Sequence, residues 1–335
     1  MRPVLADVFT ARRSIAGIAV HTPLVPSPYL SGLADHDVLL KLEIAQPIGA
    51  FKLRGAVNAV AALPAACAGV TCCSTGNHGR GIAYAARERG LRAVVCMSQL
   101  VPQAKIDGIR ALGAEVRIGG NSQDEAQAES SRLAREEGLA EVPPFDDPAV
   151  IAGQGTIGLE LLEDRPDLDT ILVPLSGGGL AGGIALAAKA IKPDIRVIGI
   201  SMDRGAAMHA SIRAGHPVEV EEVASLADSL GGGVGLGNRL SFALCRDLLD
   251  DVVLVTEEDI YRAMQALYFE DRLVAEGASV VGIAALQACK LPKLKGPVAT
   301  IISGRNVDMK VFTQVVTGQD VKLGETTIRG QVHGA

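Results

Sequence analysis

Aromatic side chains make up only 3% of the 335 residues, tryptophan is absent, and no run of lysines and arginines is interleaved with aromatics. With a formal net charge of -6, that scarcity argues against a nucleic-acid partner. The six cysteines, at 67, 72, 73, 96, 245 and 289, form no CxxC pair and sit mostly inside apolar runs such as GVTCCST and RAVVCMS. They read as buried thiols in a reducing cytoplasm. The histidines fall in no metal-ligand pattern such as HExxH, so nothing in the sequence supports a zinc site. The N-terminal stretch has no continuous apolar core and no small-residue cleavage site; Asp7 and Arg12-Arg13 mark an ordinary amphipathic helix. The longest weakly polar stretch, ILVPLSGGGLAGGIALAAKAI, is broken by Pro174 and five glycines, which suits a buried strand, turn and helix better than a membrane span. No internal repeat or low-complexity tract occurs. What remains is a soluble globular chain, 48% hydrophobic and 21% charged, long enough for two lobes.

From residue 69 to 145 short apolar runs (GVTCCST, RAVVCMS, EVRIGG, AEVPPF) alternate with helical stretches, which predicts a four-stranded parallel sheet covered on both faces. A second series begins at DTILVPLS, continues through IRVIGIS and VATIISG, and takes in VLLKLEI near the N-terminus. The expected organisation is a small lobe, 69–147, inserted into a large lobe made of 1–68 and 148–335. Ligands in such sheets lie at the carboxyl ends of the strands, which directs attention to the loops STGNHG, SGGGL and SGRNVD. The last stretch, TGQDVKLGETTIRGQVHGA, shows no helical stripe and is expected to be an extended tail.

Between an apolar strand and an Ala-rich helix lies SGGGLAGG, residues 176 to 183. Consecutive glycines can aim several backbone N–H groups at one point, and the helix N-terminus adds partial positive charge, so the turn suits a phosphate. Gly177, Gly179 and Gly182 also satisfy the dinucleotide fingerprint GxGxxG, but the next strand ends at Ser201 and offers no acidic residue for a ribose hydroxyl. Lys52, in PIGAFKLRGAVNA, stands among residues that read as interior. Taken alone it suits a snorkelling surface lysine. Paired with a mono-phosphate cradle it suits a lysine with a lowered pKa that attacks carbonyls, the combination that pyridoxal 5'-phosphate requires.

The segments PIGAFKLRGAVNA, STGNHGRGIAYAA, DDPAVIAGQGTIGLE, SGGGLAGGIA, LADSLGGG and SGRNVD, in this order, resemble the threonine dehydratase and serine racemase family of fold-type-II pyridoxal-phosphate enzymes. Within it the chain is most similar to a dehydratase associated with hydroxyectoine utilisation. The resemblance implies an α/β, tryptophan synthase β-like fold, with two three-layer parallel-sheet lobes and the cofactor between them. It also implies a homodimer that eliminates water from a small β-hydroxy amino acid to give a 2-oxo acid and ammonia, the cofactor phosphate assisting as acid. Lys52 would bond the cofactor aldehyde and, once released, take the α-proton. Phe51 would pack on the pyridine ring, Asn77 bond its 3'-oxygen, and Ser303 meet its nitrogen with a hydroxyl. Gly177, Gly178, Gly179 and Leu180, with Ser176 at the edge, would hold the phosphate, while Glu276 would face the cofactor. Ser74, Thr75, Gly76, Asn77 and His78 would grip the substrate carboxylate.

The chain departs from the family pattern in three places. Thr75 stands where the racemases carry a catalytic serine and many dehydratases an alanine, which leaves racemase activity open. Ser201 and Ala207 stand where several relatives hold a divalent cation with acidic residues, so no metal is expected, although Asp203 lies near. Ser229 stands where relatives usually carry glycine. The competing readings are a racemase or β-replacement enzyme of the same fold, a nicotinamide-dependent dehydrogenase, and a ligand-binding regulator without turnover. His78, where the β-replacement enzymes usually carry threonine, and the retention of Lys52 favour dehydration.

Overall fold

The short apolar runs form strands because β-branched side chains pack well on a pleated surface. The computed structural model describes all residues except Thr75, Leu100, Pro102 and Ala335, and leaves the side chains of Ala104, Gln123 and Asp124 aside. Twelve strands are present among the described residues: β1 Leu24–Pro26, β2 Val38–Leu42, β3 Val70–Cys73, β4 Ala93–Met97, β5 Glu115–Ile118, β6 Ala140–Glu141, β7 Thr170–Pro174, β8 Arg196–Met202, β9 Asp251–Val255, β10 Val298–Ile302, β11 Val321–Leu323 and β12 Thr326–Ile328.

Strands β3 to β6 make a four-stranded sheet in the order β5-β4-β3-β6, every pair parallel, in register Val70↔Ala93 and Val70↔Ala140. Period-two alternation sends Cys72, Val95 and Met97 into one cluster with Ile82 and Ala86 of the Asn77–Glu88 helix. Cys73, Val94 and Cys96 pack on the other face with Ala126 and Leu133 of the Gln123–Glu137 helix. Four of the cysteines are buried, but Cys67 is half-buried and Cys289 exposed, so the expectation of buried thiols does not cover the whole set.

The six-stranded sheet has the order β1-β2-β10-β7-β8-β9. Its five inner and far strands run parallel, whereas β1 pairs with β2 antiparallel, in register Val25↔Leu40. The sheet is therefore mixed rather than purely parallel, because residues 27–37 are too short a link for a parallel crossover and bring the chain back alongside itself. β9 and β1 were not foreseen in the sequence. The Pro148–Asp164 helix is buried along most of its length and lies against the Lys52–Ala61 and Gly179–Ile191 helices. Its start is locally encoded: Asp147 accepts hydrogen bonds from the backbone of Ala149 and Val150, and Pro148 occupies the first position.

The C-terminal stretch is not a loose tail. β11 and β12 form an antiparallel hairpin whose Val321 and Ile328 are fully buried. Tyr261 Oη donates to Gln319 O at 2.9 Å, and Gln265 Nε2 donates to Val315 O and Gln331 O, each at 2.7 Å. Three-residue strands are too short to show a period, which is why the sequence does not announce them. No helix among the described residues is long and apolar enough to cross a membrane.

Candidate active site

β10 and β7 are neighbours and parallel, so their carboxyl ends lie side by side. The chain leaving β10 turns through Ser303 and Gly304, and Gly304 forms an isolated antiparallel bridge with Ala50. Phe51 N donates to Ser303 O at 2.9 Å, and Arg305 N donates to Gly49 O at 2.9 Å. This backbone stitch places Lys52, the first residue of the Lys52–Ala61 helix, at the carboxyl edge of the large sheet. Its Nζ donates to Pro144 O at 2.7 Å and lies 5.4 Å from the centroid of the Phe51 ring. Removal from water disfavours the ammonium and lowers the amine from 10.5 to about 8. Roughly a tenth of the amine is then neutral at pH 7, against fewer than one molecule in about a thousand for an ordinary lysine. Trapping of Lys52 by an aldehyde and borohydride is accordingly expected to rise with pH through a midpoint near 8. Peptide mapping of the reduced adduct at a series of pH values measures it, and a midpoint near 10.5 would contradict the burial argument.

The glycine turn follows β7. Gly178 adopts φ +87, a left-handed conformation that a side chain disfavours, and a Cβ on Gly177 would overlap the Phe145 ring. The first-turn N–H groups of the Gly179–Ile191 helix have no intrahelical acceptor and point out of its positive end. Phe51 packs against the hydrophobic cluster that includes Leu180 at the start of that helix.

One segment joins the parts. Pro144 O receives the lysine, and Phe145 covers Gly177 and Gly179. Asp146 accepts the N–H groups of Arg239, Leu240 and Ser241 at 2.8 to 2.9 Å, capping the Ser241–Leu248 helix. Ser241 Oγ in turn donates to Gly177 O at 2.7 Å. Asp147 begins the Pro148–Asp164 helix. None of Pro144, Phe145 and Asp146 was singled out in the sequence, although an Asp-Asp-Pro run before a helical pattern is a legible start signal.

The loop after β3 is shaped by Ser74, whose Oγ accepts from Gly76 N at 3.3 Å and Gly79 N at 3.0 Å. Thr75 lies outside the described residues. His78 is buried, and its Nε2 is 2.8 Å from Val142 O. A carbonyl only accepts, so Nε2 carries the proton and donates. Burial, with the Lys52 charge nearby, lowers His78 to about 3 and keeps it neutral. The side chain of His78 and the amine of Lys52 thus hold the same stretch, 142–144.

Asn77 Nδ2 donates to Glu276 Oε1 at 2.9 Å and Oε2 at 3.2 Å, while Asn77 Oδ1 accepts from Asn306 Nδ2 at 2.6 Å. Glu276, buried, also accepts from Asn306 N at 2.9 Å and from Ser229 Oγ at 2.6 Å. Ser303 Oγ is 3.0 Å from Ser279 Oγ, and Ser279 is fixed by Gly304, accepting from its N at 2.7 Å and donating to its O at 2.8 Å. Asn306 and Ser279 were missed; Asn306 stands inside the SGRNVD stretch that drew attention for Ser303.

Two residues beyond Lys52, Arg54 is almost wholly buried between two carboxylates. Its guanidinium donates to Glu43 at 2.8 Å and to Glu160 at 2.6 and 2.8 Å, and Lys41 pairs with Glu160 at 2.7 Å. Burial alone would lower the guanidinium pKa, but Glu43 and Glu160 more than offset it and raise it above its ordinary value. Of the positions weighed for a cation, Ser201 is buried with its Oγ 3.8 Å from Met202 Sδ, and Ala207 opens the Ala207–Ala214 helix. Among the described residues no group of three or more His, Cys, Asp or Glu could hold a metal ion.

An aldehyde bearing one phosphate fits these residues on two observations: a lysine amine lowered to about 8 by its surroundings, and a side-chain-free turn at a helix N-terminus, bridged to it by Pro144 and Phe145. Comparison with known proteins agrees. Residues 15–304 match the family described as pyridoxal-phosphate dependent enzyme. The chain is 52% identical over 316 residues to a putative threonine dehydratase of Sinorhizobium fredii, covering 94% of this chain and 95% of that protein. It is 39% identical to an L-threonine ammonia-lyase of Thermotoga maritima, over 96% of this chain and 80% of that one. Among solved structures, maize serine racemase superposes with a TM-score of 0.89 at 32% identity, over 95% of this chain and 98% of that chain. By motif, geometry and similarity over almost its whole length, the chain belongs to the pyridoxal-phosphate-dependent enzyme family, and to its threonine dehydratase-like members.

Proposed function

We propose that this protein is a lyase that eliminates water from a small β-hydroxy amino acid, threonine or serine first, releasing a 2-oxo acid and ammonia. The carrying observation is the Lys52 amine, lowered to about 8 and joined through Pro144 and Phe145 to a glycine turn suited to a phosphate. Pyridoxal phosphate, when bound, supplies the aldehyde that engages amines and the ring that accepts electrons from the substrate α-carbon. Lys52 takes the α-proton at Nζ, and Pro144 O holds the charged amine afterwards.

Gly177, Gly178, Gly179 and Leu180, with Ser176 beside them, bind the phosphate through backbone N–H groups. Phe51 supports the ring, and Ser303 would turn its single hydrogen from Ser279 Oγ, 3.0 Å away, to the ring nitrogen. A hydroxyl there does not hold a proton as a carboxylate does, which favours elimination over transamination. Asn77 serves the ring oxygen, Glu276 orients Asn77, and the loop Ser74 to His78 receives the substrate carboxylate. In this reading the cofactor lies between 69–147 and the remainder of the chain, the protein acts as a cytoplasmic homodimer, and a hydroxyectoine-derived β-hydroxy amino acid is the finer substrate proposal. The motif resemblance supports that last step.

The test is direct. Protein reconstituted with pyridoxal phosphate is incubated with both enantiomers of serine and threonine, with 3-hydroxyaspartate and with hydroxyectoine breakdown products, while ammonia and 2-oxo acid are measured. Stoichiometric release of both from at least one compound is expected. Inversion of the α-carbon without ammonia would replace the lyase reading by a racemase.

A further inference from the structure

We propose that Ser229 is a positioning residue of this site: by holding one oxygen of Glu276, its hydroxyl steadies the carboxylate that receives the Asn77 amide. The inference rests on the reading of Asn77 as the partner of the cofactor's ring oxygen. Ser229 lies on the short turn Asp228–Leu230, exposed, and reaches Glu276 Oε2 at 2.6 Å. Its alternative acceptor, Asp228 Oδ1, is farther at 3.3 Å, and a hydroxyl has only one hydrogen to give.

The chain of bonds beyond Glu276 has a determined sense. Ile48 O can only accept, so the NH2 group of Asn306 faces it at 2.9 Å and spends its other hydrogen on Asn77 Oδ1 at 2.6 Å. The NH2 group of Asn77 must then face Glu276, donating to Oε1 at 2.9 Å and to Oε2 at 3.2 Å. Glu276 Oε1 is held by Asn306 N at 2.9 Å and packs on Gly304, where a Cβ would come within 2.5 Å of it and 3.2 Å of Asn77 Nδ2. Among the described residues Oε2 has, besides Ser229, the 3.2 Å share of Asn77. Without that hydroxyl Oε2 keeps only its 3.2 Å share of Asn77, so the carboxylate, still anchored through Oε1, tilts and shifts the acceptor geometry offered to Asn77 Nδ2. Sequence alone shows Ser229 as an unexplained departure; the fold gives it this contact.

The experiment compares wild-type holoenzyme with Ser229→Ala, which lacks the hydroxyl, and Ser229→Thr, which keeps it. Two quantities are read: the pH midpoint of the bound cofactor's visible absorption, and kcat against KM for the best substrate. Ser229→Ala is expected to move the midpoint by about half a pH unit and lower kcat about fivefold with KM within about twofold, as loss of one hydrogen bond to a carboxylate implies. Ser229→Thr should keep both near wild type. A coloured, active wild type whose midpoint and kcat are untouched by Ser229→Ala would overturn this inference alone, as would equal effects of alanine and threonine. A wild type without visible absorption would overturn the functional reading and this inference with it.

Discussion

Lys52→Met is expected to abolish ammonia release, by about 10⁴-fold or more, because no other described group combines a lowered amine with this position. The same change should make the protein more stable. Methionine retains the aliphatic stem and removes an amine that folding strips of water. The sign follows from the two protonation states. The folded amine titrates near 8 and the unfolded one near 10.5, so between those values the unfolded chain binds more protons and wild-type stability rises with pH. Below pH 8 the full penalty is present, about 3 kcal/mol for a shift of that size. The variant's advantage should therefore be largest at pH 7 and fade as the pH approaches 10.5. Urea unfolding of the cofactor-free proteins at pH 7 and pH 10 measures it. An equal difference at both would show that the cost of seating the lysine is not its charge.

Arg54→Ala should cost about 3 to 5 kcal/mol, the range for removing one partner of a buried ion cluster. Glu43 is fully buried and would lose its cationic partner, whereas Glu160 would keep Lys41 at 2.7 Å. Arg54→Lys should recover only part of the loss, since a point charge cannot satisfy Glu43 and Glu160 together as the planar fork does. Because Arg54 is one turn or less from Lys52 on the same helix, the lysine variant should also lower kcat, which separates a placement effect from mere instability. Chemical denaturation of both variants, with kcat measured well below the unfolding midpoint, tests the pair. A loss under about 1 kcal/mol for alanine would mean that water reaches Glu43 and the cluster is not sealed.

The sequence reveals much of this architecture because its signals are local. The alternation of GVTCCST, RAVVCMS and EVRIGG with helical stretches places β3, β4 and β5, and the periodic faces of those strands need no distant information. Where the pattern is brief it fails: β1 and the β11–β12 hairpin have three residues per strand, and β9 is a five-residue run that follows the Ser241–Leu248 helix after only two residues. The direction of β1 depends on the length of a link, which no single residue announces. Arg54 carries no signal in the sequence, since nothing in KLRGAV indicates that Glu43 and Glu160 will meet there.

By itself the sequence determined the two residue types this chemistry requires, an amine in apolar surroundings at 52 and a run of glycines at 177–179 ahead of a helix, because a side chain's charge and a glycine's lack of one are properties of the residue. Only the tertiary structure decided what faces them. The lysine is held by a main-chain carbonyl at 144, the turn is covered by an aromatic ring at 145, and Glu276 is reached by a serine 47 residues away in the chain. Backbone acceptors are the same at every position, and contacts across such separations leave no period to read, so they exist only once the strands have fixed which ends lie together.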